Sequence, residues 1–166
     1  MMRKIYLVRH AKSSWDNNKL KDIERPLNKR GEKDAPFMGR LMMEKEIKPD
    51  LIISSPAERA LETAKIFCNE MKVSENQILV EQGLYNAGKK ELLNVINSFD
   101  DKFSSVMLFS HNPGLSDLAN YLTSGKVYDL PTCGIVSLNC KIDNWTELGD
   151  INCELDFFEY PKKHTK

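Results

Sequence analysis

The chain has 166 residues, and its 24 Lys plus Arg balance 24 Asp plus Glu, so its formal net charge is zero. That length fits one domain able to bury a core without a metal or disulfide staple. The balanced charge excludes a general nucleic-acid or anionic-membrane binder, whose affinity needs a basic face.

The hydrophobic share of 41% and charged share of 29% are those of a soluble globular protein. No apolar run approaches the ~20 residues that span a bilayer. The opening apolar run, Ile5 to Val8, meets Arg9 and His10 at once, too soon for a signal-peptide core, and reads as a first buried strand. Residues 11–27 are polar and aperiodic, a loop long enough to imply a function. A helical pattern follows from about Asn28 to Glu46, with Phe37, Leu41 and Met38 turned inward and Pro36 kinking it or marking where it becomes regular.

Leu51 to Ile53 is the second strand, leading into a helix through Arg59, Thr63, Ile66 and Phe67, with Ser55 as N-cap and Pro56 in the first turn. Ile78 to Val80 gives a third strand, Lys90 to Phe99 a helix, Ser105 to Phe109 a fourth strand and Leu115 to Leu122 another helix. From Cys133 the pattern alternates, with a strand at Ile135 to Leu138 and another between Trp145 and Phe158, joined near Asp143-Asn144. Strands alternating with helices predict a three-layer α/β/α fold: a mostly parallel sheet with an antiparallel C-terminal edge. The expected organisation is a single domain over residues 1–160 and a solvated basic tail over 161–166, with His164 on the surface. Cys68, Cys133, Cys140 and Cys153 show no CxxC spacing and are read as four thiols in a reducing cytoplasm, where the chain is placed.

Ligands of such sheets bind beyond the carboxyl ends of the strands. Arg9 and His10 follow the first buried run, Ser54, Ser55 and then Arg59 the second, and Ser110 and His111 the fourth. Only 6 of the 24 basic residues are Arg, so Arg9, Arg25 and Arg59 at loop and strand-end positions stand out. Two histidines and up to three arginines at one crevice suit a polyanionic oxyanion, most simply a phosphoryl group, because the arginine fork donates paired hydrogen bonds to its oxygens. Arg25 also has Asp22 and Glu24 nearby as ion-pair partners. No metal and no cofactor is expected, since arginines flanking two histidines repel a dication.

These residues carry a resemblance. Leu7-Val8-Arg9-His10-Ala11 resembles the Arg-His-Gly signature of the histidine phosphatase superfamily, with Ala for the Gly. The stretch from Ser54 to Ala64 is similar to that family's second Arg motif, and Ser110-His111-Asn112-Pro113 resembles its second His motif. Arg25-Pro26-Leu27 followed by Gly31 matches the small SixA-type phosphohistidine phosphatases. The resemblance implies a phosphoglycerate mutase-like fold, His10 as nucleophile, Arg9 and Arg59 as the phosphoryl clamp, His111 as a donor to the same group, and Arg25 as a further phosphate ligand from the long loop. In the mutase branch an acidic residue after the third strand protonates the leaving oxygen, whereas here Asn86 occupies or neighbours that position and Glu81 lies close by. A missing acid favours a P–N bond, because imidazole can leave neutral, and no insertion is long enough to cover a small sugar phosphate. The expected substrate is therefore phosphohistidine on a partner protein, with no nucleic acid and no membrane involved. A phosphomonoesterase on metabolites or nucleotides, using Glu81 or Asp16 as acid, and a non-catalytic phosphate-binding module are the alternatives.

Overall fold

A computed structural model describes residues 1–149 and 153–165. Six strands form one sheet: β1 (Met2–Arg9), β2 (Leu51–Ser54), β3 (Ile78–Val80), β4 (Ser105–Ser110), β5 (Ile135–Lys141) and β6 (Glu154–Glu159), in the order β3-β2-β4-β1-β5-β6. The first four are mutually parallel, and β5 and β6 add an antiparallel edge. Four helices complete the layers: α1 (Lys29–Glu44), α2 (Glu58–Met71), α3 (Lys89–Asn97) and α4 (Gly114–Thr123). The three-layer fold with a mostly parallel sheet is as the sequence predicts.

Alternation along β1 explains why its apolar run is continuous. Ile5 and Leu7 join a core with Leu92, Ile96, Leu115, Leu118 and Trp145, on the side of α3 and α4. Tyr6 and Val8 face the other way, toward Met38, Met42, Phe67 and Met71 of α1 and α2. Both faces are covered, so no polar alternation survives. On the second side Phe67 meets Phe109 edge-on, with centroids 5.2 Å apart; such a pair adds about 0.5–1.5 kcal/mol beyond its buried area.

Two glycines allow elements to close on the strand ends. A Cβ at Gly31 would stand 2.1 Å from the Lys12 carbonyl oxygen, and one at Gly114 would stand 2.0 Å from that of Ala87. Only a residue without a side chain lets the N-terminal turns of α1 and α4 pack this closely on the loops beside the site.

Several local expectations are corrected. Helix α1 runs through Pro36 and buries Ala35, Met38 and Met42, while Phe37 points outward. Phe37 instead meets the ring of His164, 5.7 Å away, because the C-terminal segment folds back as a short 3-10 turn over Pro161–His164. There His164 Nε2 and Lys163 Nζ pair with Glu159 at 2.7 and 2.6 Å, so the segment is anchored, while His164 itself is exposed as expected. Ser55 does not cap α2; Ala57 holds the cap position. Trp145 lies in a buried 3-10 turn, and the link between β5 and β6 is longer than a hairpin turn. Cys140 and Cys153 form a disulfide, their Cα atoms 4.5 Å apart, while Cys68 and Cys133 are free and buried. Their pairing arises from the antiparallel edge, which no local spacing announces. Among the described residues no helix is long and apolar enough to cross a membrane.

Candidate active site

Strand register delivers the site residues to one edge. Arg9 stands opposite Ser110 in the β1–β4 ladder, and the ladder continues past both strands: His10 N donates to Ser110 O at 3.2 Å and Ser55 N to Phe109 O at 3.0 Å. The backbone of His10 is held on its other side as well, its carbonyl accepting from Cys133 N at 3.0 Å. Arg9, His10, Arg25, Arg59 and His111 all line one pocket of about 260 Å³, joined by Lys12, Ser13, Trp15, Asn86, Asn112 and Thr132. Among the described residues no carboxylate lines it.

The His10 and His111 rings lie 5.3 Å apart. His10 Nδ1 is 2.8 Å from the carbonyl of Ala11. A carbonyl only accepts, so the hydrogen sits on Nδ1 and Nε2 keeps a free lone pair. Burial, first of all, pulls the His10 pKa down to about 3; the Ala11 hydrogen bond opposes this, and the charges of His111, Arg59 and Arg9 reinforce it. His111 falls to about 4, again chiefly by burial, with Arg59 and Arg9 adding and Asp22 opposing. Both rings are neutral at pH 7. Desolvation therefore does more here than the arginine charges.

Ser55 Oγ accepts from Ala57 N at 3.2 Å and lies 2.8 Å from His111 Nε2. Among the described residues, two buried side-chain polar atoms lack a hydrogen-bond partner: Arg9 Nε and His111 Nδ1. Both belong to this pocket. Among the described residues the Arg9 guanidinium donates only to the carbonyl of Leu130, at 3.0 Å, and burial lowers its pKa. Leaving a buried polar atom without a partner costs roughly 1–3 kcal/mol, and for the Arg9 Nε–H an anion in the pocket is the natural acceptor.

Arg59 donates to the backbone oxygen and carboxylate of Asp22, at 2.8 and 3.1 Å. Arg25 donates to Asp22 Oδ1 at 2.8 Å and to Ser14 O at 3.0 Å, bonds Ser13 Oγ, and stacks on Trp15 with its central carbon 3.3 Å from the ring. Arg25 thus pairs with Asp22 and still lines the pocket. Tyr85 donates to Asp22 Oδ2 at 2.6 Å. That bond, ahead of those from Arg59 and Arg25, holds the Asp22 pKa at about 2 against the opposing effect of burial, so the group stays ionised.

Glu81 lies away from these residues. Its carboxylate accepts from Gly83 N at 3.0 Å and faces a separate groove beside Leu79, Val95 and Phe99. Asp16 does not line the pocket either, whereas Asn86 does. Ala11 is buried with the α1–α2 core, so its methyl does not narrow the pocket. Sequence reading passed over Tyr85 and treated Asp22 only as an ion-pair partner. The available signal for Asp22 was physical: arginines gathered at a buried site require a nearby counter-charge.

Residues 5–87 match the family model of the histidine phosphatase superfamily, branch 1, and the chain belongs to that superfamily. Within it the fold is SixA-like. A crystal structure assigned as the phosphohistidine phosphatase SixA of Agrobacterium tumefaciens superposes with a TM-score of 0.81 at 26% identity, covering 96% of this chain and 98% of that one. The protein histidine phosphatase SixA complexed with tungstate superposes at 0.77 with 20% identity, covering 96% and 98%, a likeness of fold. An uncharacterised chloroplastic protein of Arabidopsis thaliana is 32% identical over 153 residues, spanning 87% of this chain and 70% of that protein. The chain is a phosphatase of this superfamily.

Proposed function

We propose that the chain removes the phosphoryl group from phosphohistidine on another protein, by way of a phosphohistidine formed on its own His10. One observation carries this reading: the pocket gathers two neutral histidines and three arginines and, among the described residues, is lined by no carboxylic acid. In the first half-reaction His10 Nε2 attacks phosphorus, the substrate P–N bond breaks, and the substrate imidazole departs neutral, keeping the proton on its other nitrogen. In the second, water attacks phosphorus and the Nε2–P bond breaks, releasing inorganic phosphate. Arg9, Arg59 and Arg25 bind the phosphoryl oxygens, whose charge they stabilise through transfer. Ser55, accepting from Ala57, gives its hydroxyl hydrogen to His111 Nε2, which leaves Nδ1–H of His111 to donate to the same oxygens. An alkoxide leaving group needs an acid worth ~10²–10⁴-fold in rate. Glu81 faces elsewhere and Asp22 is held ionised, so esters are poor substrates.

The test is phosphate release from a histidine-phosphorylated protein and from a phosphoserine peptide, with chelator present, for wild type and His10→Ala. Release from the first alone, lost in the variant, is expected. Equal release from the ester overturns the P–N preference. Release from neither, with phosphate still bound, makes the chain a binding module.

A further inference from the structure

Among the described residues Asp22 is the one carboxylate hydrogen-bonded to the arginines of the pocket, and three segments reach it. Its backbone oxygen and Oδ2 take two donors of Arg59, which comes from α2; Oδ1 takes one donor of Arg25, which comes from the 11–27 loop; Oδ2 also accepts from Tyr85, which follows β3. Three segments meet on a single side chain. A guanidinium has five N–H donors. Asp22 occupies two on Arg59 and leaves three, so it fixes the fork without consuming it. We infer that Asp22, braced by Tyr85, is a positioning residue that locks Arg59 and Arg25 in one shared orientation so that their remaining donors converge on the transferring phosphoryl group.

Two features separate this role from simple loop closure. The 11–27 loop is already closed at its base, where Ser14 N donates to Pro26 O at 2.8 Å, Asn28 N donates to Lys12 O at 3.0 Å, and Ser13 bridges Leu27. The Tyr85 ring also stands edge-on to His111, 5.8 Å between centroids. The clasp therefore reaches the second histidine as well as both arginines.

This inference rests on the phosphoryl-binding reading above, and the experiment separates the two. Wild type, Asp22→Asn, Tyr85→Phe and the double variant are compared for kcat and KM on a histidine-phosphorylated protein, for inhibition by orthovanadate as a transition-state mimic, and for melting temperature. Asp22→Asn is expected to lower kcat about 100-fold, to weaken vanadate by a similar factor, and to change KM less than about threefold. Tyr85→Phe is expected to lower kcat about threefold to tenfold, and that loss disappears in the Asp22→Asn background because the two act as one unit. Asp22→Asn with kcat and vanadate inhibition within twofold of wild type overturns the inference while leaving the functional reading standing. So does a loss confined to melting temperature, or additive effects of the two substitutions. A wild-type protein that neither turns over nor binds vanadate overturns both.

Discussion

Arg3 and Arg9 stand near opposite ends of β1 and are used in opposite ways. Arg3 is 3% exposed and each of its guanidinium nitrogens is partnered: it donates to the carbonyls of Asp101 at 3.0 Å, Phe103 at 2.7 Å and, through Nε at 3.1 Å and also Nη2, Asp143, and lies 5.4 Å over the Trp145 ring. Arg9 makes one carbonyl bond and keeps a buried Nε without a partner. The first is a staple that ties the start of the strand to two loops, and the second is a cation kept short of acceptors. Buried arginine alone therefore signals nothing. The unfilled donors of Arg9 mark a place where an anion belongs.

That contrast breaks most visibly on exchange of each arginine for methionine. Arg9→Met is expected to lower kcat/KM by about 10²–10³, the cost of one preorganised donor at a transition state, and to move the melting temperature by less than about 3 °C. Arg3→Met should leave kcat/KM within about twofold but strand several carbonyls. The cost is about 2–4 kcal/mol, on the order of 10 °C in this size class. Thermal melts and steady-state rates on the same samples decide it; an Arg3 variant that loses activity before it loses stability would erase the distinction.

The Cys140–Cys153 disulfide belongs to the Arg3 end, since Cys140 pairs with Arg3 in the β1–β5 ladder. Its thirteen-residue separation makes it worth about 3 kcal/mol on the chain-entropy account. Reduction, or Cys140→Ser, should lower the melting temperature by roughly 5–10 °C and leave vanadate inhibition unchanged.

Acid should act on the opposite end. His10 and His111 have folded pKa values of about 3 and 4, below the ~6.5 of the unfolded chain. As pH falls below about 6.5 the unfolded state takes up protons that the folded state refuses. Stability is therefore full above pH 6.5 and declines down to about pH 4 and then 3, by up to about 1.4 kcal/mol per pH unit for each histidine. Melting temperature plotted against pH from 7 to 5 should flatten by about half in His111→Asn, and an unchanged slope would reject the assignment. The smallest expected effect is Glu81→Gln, which should leave turnover of phosphohistidine within twofold. Abolished activity would restore Glu81 as an acid.

The strand ends were legible because each buried strand is a short apolar run with its polar successors immediately adjacent, so Arg9, His10, Ser55 and His111 could be placed on one edge without knowing the sheet order. Arg59 followed one turn into the next helix. Asp22 and Tyr85 were not legible in that way: they come from irregular segments 63 residues apart and meet only through the fold. The same limit applies to the disulfide, and to Phe37, whose outward direction depends on a C-terminal segment that returns to α1. Helical periodicity reports which residues share a face but not what covers it.

The hydrogen on His10 Nδ1, held by the Ala11 carbonyl, has a consequence for the energetics of turnover. On the proposed reading of a phosphohistidine substrate and a phosphorylated His10, the ring keeps that hydrogen throughout, so the two phosphorylated imidazoles match in bonding and charge. Passing phosphorus from one to the other exchanges like for like and is close to thermoneutral. The free energy that drives the cycle forward is released only when water takes the phosphoryl group, so a phosphorylated His10 shielded from water could hand its cargo back to an acceptor imidazole as readily as it received it.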